Sequence, residues 1–481
     1  MDLHLDLRGD GSLRLRFEHA LRDAVRRLPP GTRLPPTRVL ATELGVSRGV
    51  VVEGYAQLAA EGYLHTRRGG GTFVAEGGAR EDFLAQSTRK STLDAPGRGA
   101  ALGAAGRGEA LGAAGRGHAV GVAGRGEAPG LARPFATPPA RVPKFDLRPA
   151  LPALDGAFRP AWGRALHRAL RTTPDARFGY PDPRGEPELR AALAASLARR
   201  RGVLASAGQV LVTGGFGPSL PFVWRLLAAR GVRRVATEDP CWPRLTATLT
   251  RAGLHPVPVT VDEHGLRTDA LPDVGAIFVT PAHQYPTGAV LEPERRAALI
   301  EWARDHRALV IEDDYDAEFR YDRQPVGSLQ GLAPDVVLYG GSTSKTLAPG
   351  LRLGWLVLPP GMEVDAPAPP PVLDQLALAD LLIRGDFDRH LRRQRRLYQR
   401  RREALLDALA ERLPELAISG AAAGLHAVLH LPAGTNAHDV ARRAHDQGVA
   451  LDAIDGRLIV GYANLPEAQA PAAANALAQA L

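Results

Sequence analysis

Between Gly97 and Ala132 the chain repeats a nine-residue unit four times, as GRGAALGAA, GRGEALGAA, GRGHAVGVA and GRGEAPGLA. Glycine-rich sequence without aromatic residues cannot bury enough apolar surface to offset the entropy of ordering it, so this stretch belongs to no core. It divides the 481 residues into three parts. Residues 1–78 read as a compact helical unit with a hairpin, residues 79–144 as a flexible Gly/Ala/Arg-rich linker, and residues 145–481 as a large α/β unit.

The flanking parts can form cores, since 45% of the chain is hydrophobic. No apolar run approaches the roughly 20 residues that span a bilayer, and the acidic, arginine-bearing start from Met1 to Arg16 is not a signal peptide. No membrane association is therefore expected. A single cysteine, Cys241, excludes an internal disulfide and fits a reducing cytoplasm. The net charge of +8 permits a polyanionic partner, although biased arginine usage accounts for much of it.

In the first part, Leu13 to Arg27 carries apolar residues at helical spacing until Leu28-Pro29-Pro30-Gly31 breaks the helix. A second short helix starts near Pro36-Thr37, carries Val39, Leu40, Ala41 and Leu44, and ends at Gly45. Ser47 then caps a third helix, with Val51, Tyr55 and Leu58 facing inward and Arg48, Gly49, Val52 and Glu53 outward. This is helix-turn-helix spacing. Two β-type runs, 61–66 and 72–74, bracket Arg67-Arg68-Gly69-Gly70-Gly71 and predict a wing with a basic, glycine-rich tip. Such a tip suits the negative potential of a minor groove, but a tri-helical domain with a hairpin of other purpose shows the same pattern. As a Gly-rich coil, about 65 linker residues span roughly 45 Å, more than one DNA turn of about 34 Å. The linker arginines read as solvated charge, with nonspecific phosphate contact as the second reading.

In the last part the telling residue is Lys345. Of 60 basic residues only Lys90, Lys144 and Lys345 are lysine, and the first two lie in or beside the low-complexity stretch. An amine can condense with an aldehyde, whereas a guanidinium stays protonated and cannot. Val336 to Tyr339 reads as a strand, followed by Gly340-Gly341-Ser342-Thr343-Ser344-Lys345, with Arg352 seven residues on. Small hydroxyl residues and a fixed cation beside a Schiff-base lysine suit the phosphate of pyridoxal 5'-phosphate. The alternative is a surface lysine in a serine-rich turn.

Three more segments bear on the choice. Leu309 to Phe319, LVIEDDYDAEF, is an apolar strand ending in carboxylates and a tyrosine. A carboxylate keeps a pyridine nitrogen protonated and a tyrosine hydroxyl can bond a phenolic oxygen, although a solvated acidic loop would look alike. Val210 to Leu220 is a strand, a glycine turn and a helix start able to hold phosphate on backbone N–H groups. Ile277 to Gly288 is another strand followed by polar groups and a tight turn. These strands alternate with helical stretches and predict a mostly parallel sheet with site residues at strand C-termini.

The run LPPTRVLATELGVSRGVVVEGYAQLAAEGYLHTRRGGGTFVA resembles the winged helix of GntR-family regulators. TGGFGPS, EDPCWPR, TPAHQYPTG, EDDYDAEF and STSKTLAPGLRLGW, in that order, resemble the fold-type I aminotransferase domain. A head of the first kind on a body of the second is similar to MocR-type transcriptional regulators. The resemblance implies a winged helix-turn-helix, a linker and a fold-type I aminotransferase-like domain. It implies that Arg38 and Arg48 meet DNA from the second and third helices and that Gly70 sits at the wing tip, with the cap Ser47 and the wing arginines Arg67 and Arg68 beside them. Arg48 is the expected base-edge contact, because bidentate arginine to guanine is the commonest specific pairing.

For the body, the resemblance implies Lys345 as the Schiff-base lysine of an internal aldimine, Asp313 on the pyridinium with Asp314 as fallback, and Tyr315 on the phenolic oxygen. It also implies Trp242 stacked on the ring and phosphate held by Phe216, Gly217, Ser342, Ser344 and Arg352. Tyr180 resembles the tyrosine that reaches a neighbouring subunit's phosphate, and could equally pack an interface. The chain departs from aminotransferases at Tyr285, where they carry asparagine, with His283 and Gln284 upstream. Ile459 stands near the place of their carboxylate-binding arginine and Arg457 lies two positions off, so Arg244 is the candidate for an effector carboxylate. The function implied is a pyridoxal-phosphate-dependent DNA-binding regulator. It would act in the cytoplasm as a head-to-tail homodimer and sense an amine, an amino acid or the cofactor itself. The alternative is an active aminotransferase with an accessory DNA-binding domain.

Overall fold

The computed structural model describes residues 3, 5–8, 13–67, 71–75, 142–321, 326–420 and 423–481. Arg68, Gly70 and nearly all of the expected linker lie outside the described residues, as does the side chain of Arg67.

The N-terminal unit is α1 (Leu13–Arg27), α2 (Thr37–Leu44), α3 (Arg48–Ala60), β1 (Leu64–Arg67) and β2 (Gly71–Val74). Gly45 ends α2 in the left-handed region at φ 64°, a conformation that a Cβ disfavours. The Ser47 side chain then accepts from the Val50 N–H and starts α3. Val51, Tyr55 and Leu58 are buried while Arg48, Gly49, Val52 and Glu53 are exposed, as the apolar spacing predicts. β1 and β2 pair antiparallel, with Arg67 opposite Gly71.

The body opens with β3 (Phe145–Asp146), α4 (Arg159–Thr172) and α5 (Pro187–Arg201). It continues through β4 (Val210–Thr213), α6 (Phe216–Ala229), β5 (Arg234–Asp239), α7 (Pro243–Arg251), β6 (His255–Asp262), β7 (Gly265–Leu266), β8 (Ala276–Val279), α8 (Pro293–Asp305), β9 (Leu309–Asp313), β10 (Val337–Ser342) and β11 (Gly354–Val357). The central sheet has eight strands in the order β4-β11-β10-β9-β8-β5-β6-β7. The run from β10 to β6 is parallel, and β11 is antiparallel to both of its neighbours. Strand β10 extends past the expected Tyr339 to Ser342, because Gly340 and Gly341 leave room for neighbours. A Cβ on Gly340 would lie 1.9 Å from the Phe216 ring, and one on Gly341 would lie 2.7 Å from Trp355 Nε1.

Helices α9 (Val372–Ile383) and α10 (Asp386–Arg412) lead into a second lobe that the sequence did not foretell. It comprises β12 (Ala417–Ser419), β13 (His426–His430), α11 (Ala437–Asp446), β14 (Val449–Ala450), β15 (Asp452–Ile454), β16 (Arg457–Gly461) and α12 (Ala470–Ala478). Its four-stranded sheet runs β12-β13-β16-β15 and is antiparallel throughout. No helix among the described residues is long and apolar enough to cross a membrane.

The winged helix seats on the body. One apolar cluster runs from Phe17, Leu21 and Leu58 to Leu329 and Leu332. Arg26 donates to the Tyr63 hydroxyl and to the Gly202 carbonyl, both at 2.8 Å, and Tyr63 donates to the Gly331 carbonyl at 3.0 Å. Inside the head, Arg22 and Glu61 form a buried bidentate pair at 3.0 and 2.8 Å.

Candidate functional site

Lys345 lies three residues past the end of β10, within the influence of Asp313 at the end of β9. Burial pulls its amine below the ordinary lysine range, against the opposing influence of Asp316 and Asp313. Asp313, the last residue of β9, has a buried Oδ1 with no hydrogen-bond partner. Burial first, and then the Asp314 charge, hold its carboxyl well above the usual carboxylate range. A buried acceptor without a donor fits a pyridinium N–H, which would satisfy the oxygen and restore the ionised form. Asp314 is not interchangeable with it, since it accepts from Arg201 at 2.7 and 2.9 Å and from the Tyr339 hydroxyl at 2.5 Å.

The glycine turn after β4 opens onto a helix start of the kind that suits an anion. Gly215 has φ 118° and precedes α6, so the first N–H groups of a fourteen-residue helix point outward without an intrahelical partner. A Cβ on Gly215 would lie 3.3 Å from Arg352 Nη2, which puts that guanidinium against the helix start. Arg352 itself is in the left-handed region at φ 51°. The Ser344 N–H donates to Ser342 Oγ at 3.3 Å. Trp242 lies across the same helix start, 3.5 Å from where a Gly217 Cβ would be.

The departure at Tyr285 is met by a buried polar group. His283 Nδ1 lies 3.0 Å from an Asp316 oxygen and 3.0 Å from the Tyr315 hydroxyl. A carboxylate only accepts, so Nδ1 carries the proton on that side and the imidazole sets the position of Tyr315. His426, which sequence reading missed, has its ring 4.8 Å from that of His283, tilted by 42°. Its Nε2 donates to the Pro286 carbonyl at 3.2 Å, which leaves Nδ1 as a buried acceptor without a partner. Burial, then the neighbouring His283, push its pKa well below the usual histidine range. Glu238 was also missed. It accepts from Thr280 N and Oγ at 3.1 and 2.5 Å and from Gln284 at 3.2 Å, and so ties the turn after β8 to the end of β5. Burial pushes its carboxyl up to about 7.

Two expected residues stand apart. Tyr180 is wholly exposed, and Arg244 is exposed at the start of α7. Ile459 is fully buried in β16, and Arg457 pairs in register with His430. On the winged helix, Arg38 near the start of α2 and Ser47 and Arg48 at the start of α3 are all exposed. Arg33 was not expected there. Its side chain lies against the wing, with Nε 3.1 Å from a Cβ placed on Gly71.

Residues 13–74 match the family of bacterial regulatory proteins known as the gntR family, and residues 156–477 match aminotransferase class I and II. The chain is 32% identical to the probable rhizopine catabolism regulatory protein MocR of Rhizobium meliloti, over 91% of this chain and 87% of that protein. It is 34% identical to the HTH-type pyridoxine biosynthesis transcriptional regulator PdxR of Corynebacterium glutamicum, over 84% and 79% respectively. Among solved structures it is similar in fold to the kynurenine aminotransferase of Pyrococcus horikoshii. The TM-score is 0.63 at 22% identity, covering 71% of this chain and 91% of the other.

Proposed function

The chain belongs to the MocR-type regulators of the GntR family, a DNA-binding winged helix joined to an aminotransferase-like body, and from that premise we propose that it is a pyridoxal-phosphate-dependent transcription factor. The observation that carries this reading is the partnerless Oδ1 of Asp313 among groups suited to one cofactor. Once bound through Lys345, the cofactor supplies an electron-accepting ring able to exchange its amine partner.

The chain's own residues do the rest. Asp313 would hold the ring nitrogen protonated, Tyr315 set by His283 would bond the phenolic oxygen, and Trp242 would cover the ring. The N–H groups at Phe216 and Gly217, with Ser342, Ser344 and Arg352, would hold the phosphate. Arg48 and Arg38 would meet the major groove and Arg67, Arg68 and Gly70 the minor groove, with Ser47 fixing the start of α3.

Residues 1–78, 79–144 and 145–481 would then be head, tether and sensing body of a cytoplasmic protein. A head-to-tail homodimer is supported by large apolar side chains left in solvent at Leu154, Leu170, Phe178, Tyr180 and Ile383. Tyr180 would reach the neighbour's phosphate. A tether of about 65 residues, taken as a Gly-rich coil spanning roughly 45 Å, would allow the seat on each body to be filled by the neighbour's winged helix. The sensed molecule would be an amine or amino acid, with Arg244 the candidate for its carboxylate, or the cofactor itself.

Steady amino-acid turnover is the second reading. Against it stands the resemblance, which puts the buried Ile459 near the place where aminotransferases bind the substrate carboxylate with arginine. The deciding experiment records the visible absorbance of the purified protein, traps cofactor on Lys345 with borohydride, and screens amines for spectral shifts and keto-acid release. Failure to trap anything on Lys345 overturns the cofactor reading. Keto-acid release at ordinary transaminase rates favours the enzyme.

A further inference from the structure

Helix α10 carries a charge pattern that the cofactor site does not use. Between Arg389 and Arg402 eight of fourteen residues are arginine and none is acidic. Three of the eight turn into the body. Arg395 donates to the Glu318 carbonyl at 2.7 Å, Arg401 donates to the Ala463 carbonyl, and Arg402 lies 5.7 Å over the Tyr321 ring. The other five, Arg389, Arg392, Arg393, Arg396 and Arg400, are exposed and line one groove of about 480 Å³.

Their spacing places them in a single row along the helix, about 16 Å long at 1.5 Å per residue. Neutralisation along the row is slight. Arg389 pairs with Asp386 at 2.6 Å and Arg400 with Glu467 at 3.0 Å, with both arginines exposed. Such pairs are weak in water. Arg393 donates to a backbone carbonyl, that of Ala157, and Arg392 and Arg396 have no ion-pair partner among the described residues. The one carboxylate lining the groove, Asp155, lies 3.9 Å from Arg401 instead.

Like charges held this close repel one another, and a polyanion laid along the row relieves that repulsion. We infer that the arginine row of α10 is a second duplex-binding surface, which grips the phosphate backbone of DNA without reading bases. A duplex presents one negative charge per about 1.7 Å of axis, hence roughly ten phosphates along 16 Å. A guanidinium meets phosphate bidentately, so the row matches that ladder in residue type as well as in sign. The groove is open and each of its guanidinia is solvated, which suits an extended anion better than a small one.

The inference rests on the duplex-binding reading above, and the test separates the two. Full-length protein is titrated with nonoperator duplex of about 40 base pairs over a range of KCl, for wild type, Arg392→Gln/Arg396→Gln, Arg392→Lys/Arg396→Lys and the wing variant Arg67→Gln/Arg68→Gln. The slope of log K against log salt should flatten by about 0.9 for each phosphate that is no longer neutralised, so by about 1.8 in the α10 glutamine variant. The lysine variant should keep the wild-type slope, because counterion release reads charge rather than shape.

An unchanged slope in the α10 glutamine variant, with a flattened one in the wing variant, overturns the second surface and leaves the head as the sole reader. Absence of duplex binding in every protein overturns the underlying reading itself. Saturable binding of inorganic phosphate that the glutamine variant loses, with its DNA slope intact, would assign the row to a small anion. A change in sedimentation with the slope intact would assign it to a subunit interface. Either result sinks the proposal.

Discussion

The Asp314 carboxylate accepts two N–H groups from the Arg201 guanidinium, at 2.7 and 2.9 Å, one residue beyond the Asp313 oxygen that has no partner. The neighbouring carboxylates therefore have separate tasks. Asp313 is left free for a ligand, whereas Asp314 anchors the end of α5. Glu312, on the other side, accepts from the backbone N–H groups of Leu329 and Gln330 at 2.9 Å each. The segments anchored in this way are the ones that offer the Gly202 and Gly331 carbonyls to the winged helix.

Breaking the Arg201–Asp314 pair from one side strands a buried charge. Arg201→Met should lower the unfolding free energy by about 3–5 kcal/mol. Urea denaturation followed by tryptophan fluorescence checks it, and a loss below about 1 kcal/mol would show the site to be more hydrated than its burial indicates.

Asp313→Asn keeps the shape but removes the charge. Bonds to charged groups contribute about 1.5–3 kcal/mol, so cofactor affinity should weaken by roughly ten- to a hundredfold. Equilibrium titration of the variant with pyridoxal phosphate gives the measurement. Asp314→Asn should weaken that affinity much less while costing more stability.

Gly331 has no room for a side chain. A Cβ there would lie 2.3 Å from the Gly202 carbonyl oxygen and 3.0 Å from the Tyr63 hydroxyl. Gly331→Ala should therefore disturb the seat of the winged helix, at a cost of about 1–3 kcal/mol for overpacking. Faster protease cleavage within residues 13–75, with cofactor absorbance retained, is the expected result.

The Glu238 carboxyl, pushed by burial up to about 7 from 4.5, keeps its proton in the folded state at pH values where the unfolded chain has lost it. Its contribution to stability is fully present below the unfolded value and is lost as pH rises through the folded one, a swing of about 3 kcal/mol. Glu312 is displaced the same way. Comparison of denaturation curves at intervals between about pH 4.5 and 8 should show a shallower fall for Glu238→Gln than for wild type. Equal slopes would mean that the carboxyl is ionised throughout.

At the operator, Arg48→Ala should cost about 1–3 kcal/mol of discrimination between matched and mismatched sites. Arg67→Gln/Arg68→Gln should weaken binding to all sequences alike. Fluorescence anisotropy with a set of single-mismatch duplexes distinguishes them, and full discrimination by Arg48→Ala would displace that residue from the groove.

Most of the head was legible because its signals are local. Gly45, the Ser47 cap and the 51/55/58 spacing each act within a few residues, and the helices follow from them. The parallel run of β8, β9 and β10 was legible for a similar reason, since apolar runs alternate with helical ones, whereas β5, between β8 and β6 in the sheet, was not read as a strand. Site pairings were harder to read. In Glu312-Asp313-Asp314-Tyr315-Asp316 the carboxylates look alike, and only the register of β9 and the distant Arg201 distinguish their tasks. His426 comes from the second lobe and meets His283 from 143 positions further along the sequence, so no short-range pattern announced it. Nor could spacing show that Glu238 organises the turn after β8, because a strand ending in two acids reads as a solvated edge.

The Glu312-Asp313-Asp314 run at the end of β9 would thus serve two tenants: a small molecule at its middle carboxylate, and the winged helix through the segments that the flanking ones anchor. If occupancy of one berth alters the free energy of the other, thermodynamic reciprocity makes the influence mutual and equal in size. An operator that favours the loaded protein must then tighten the hold on the vitamin to the same degree, so promoter DNA would itself count among the determinants of cofactor retention.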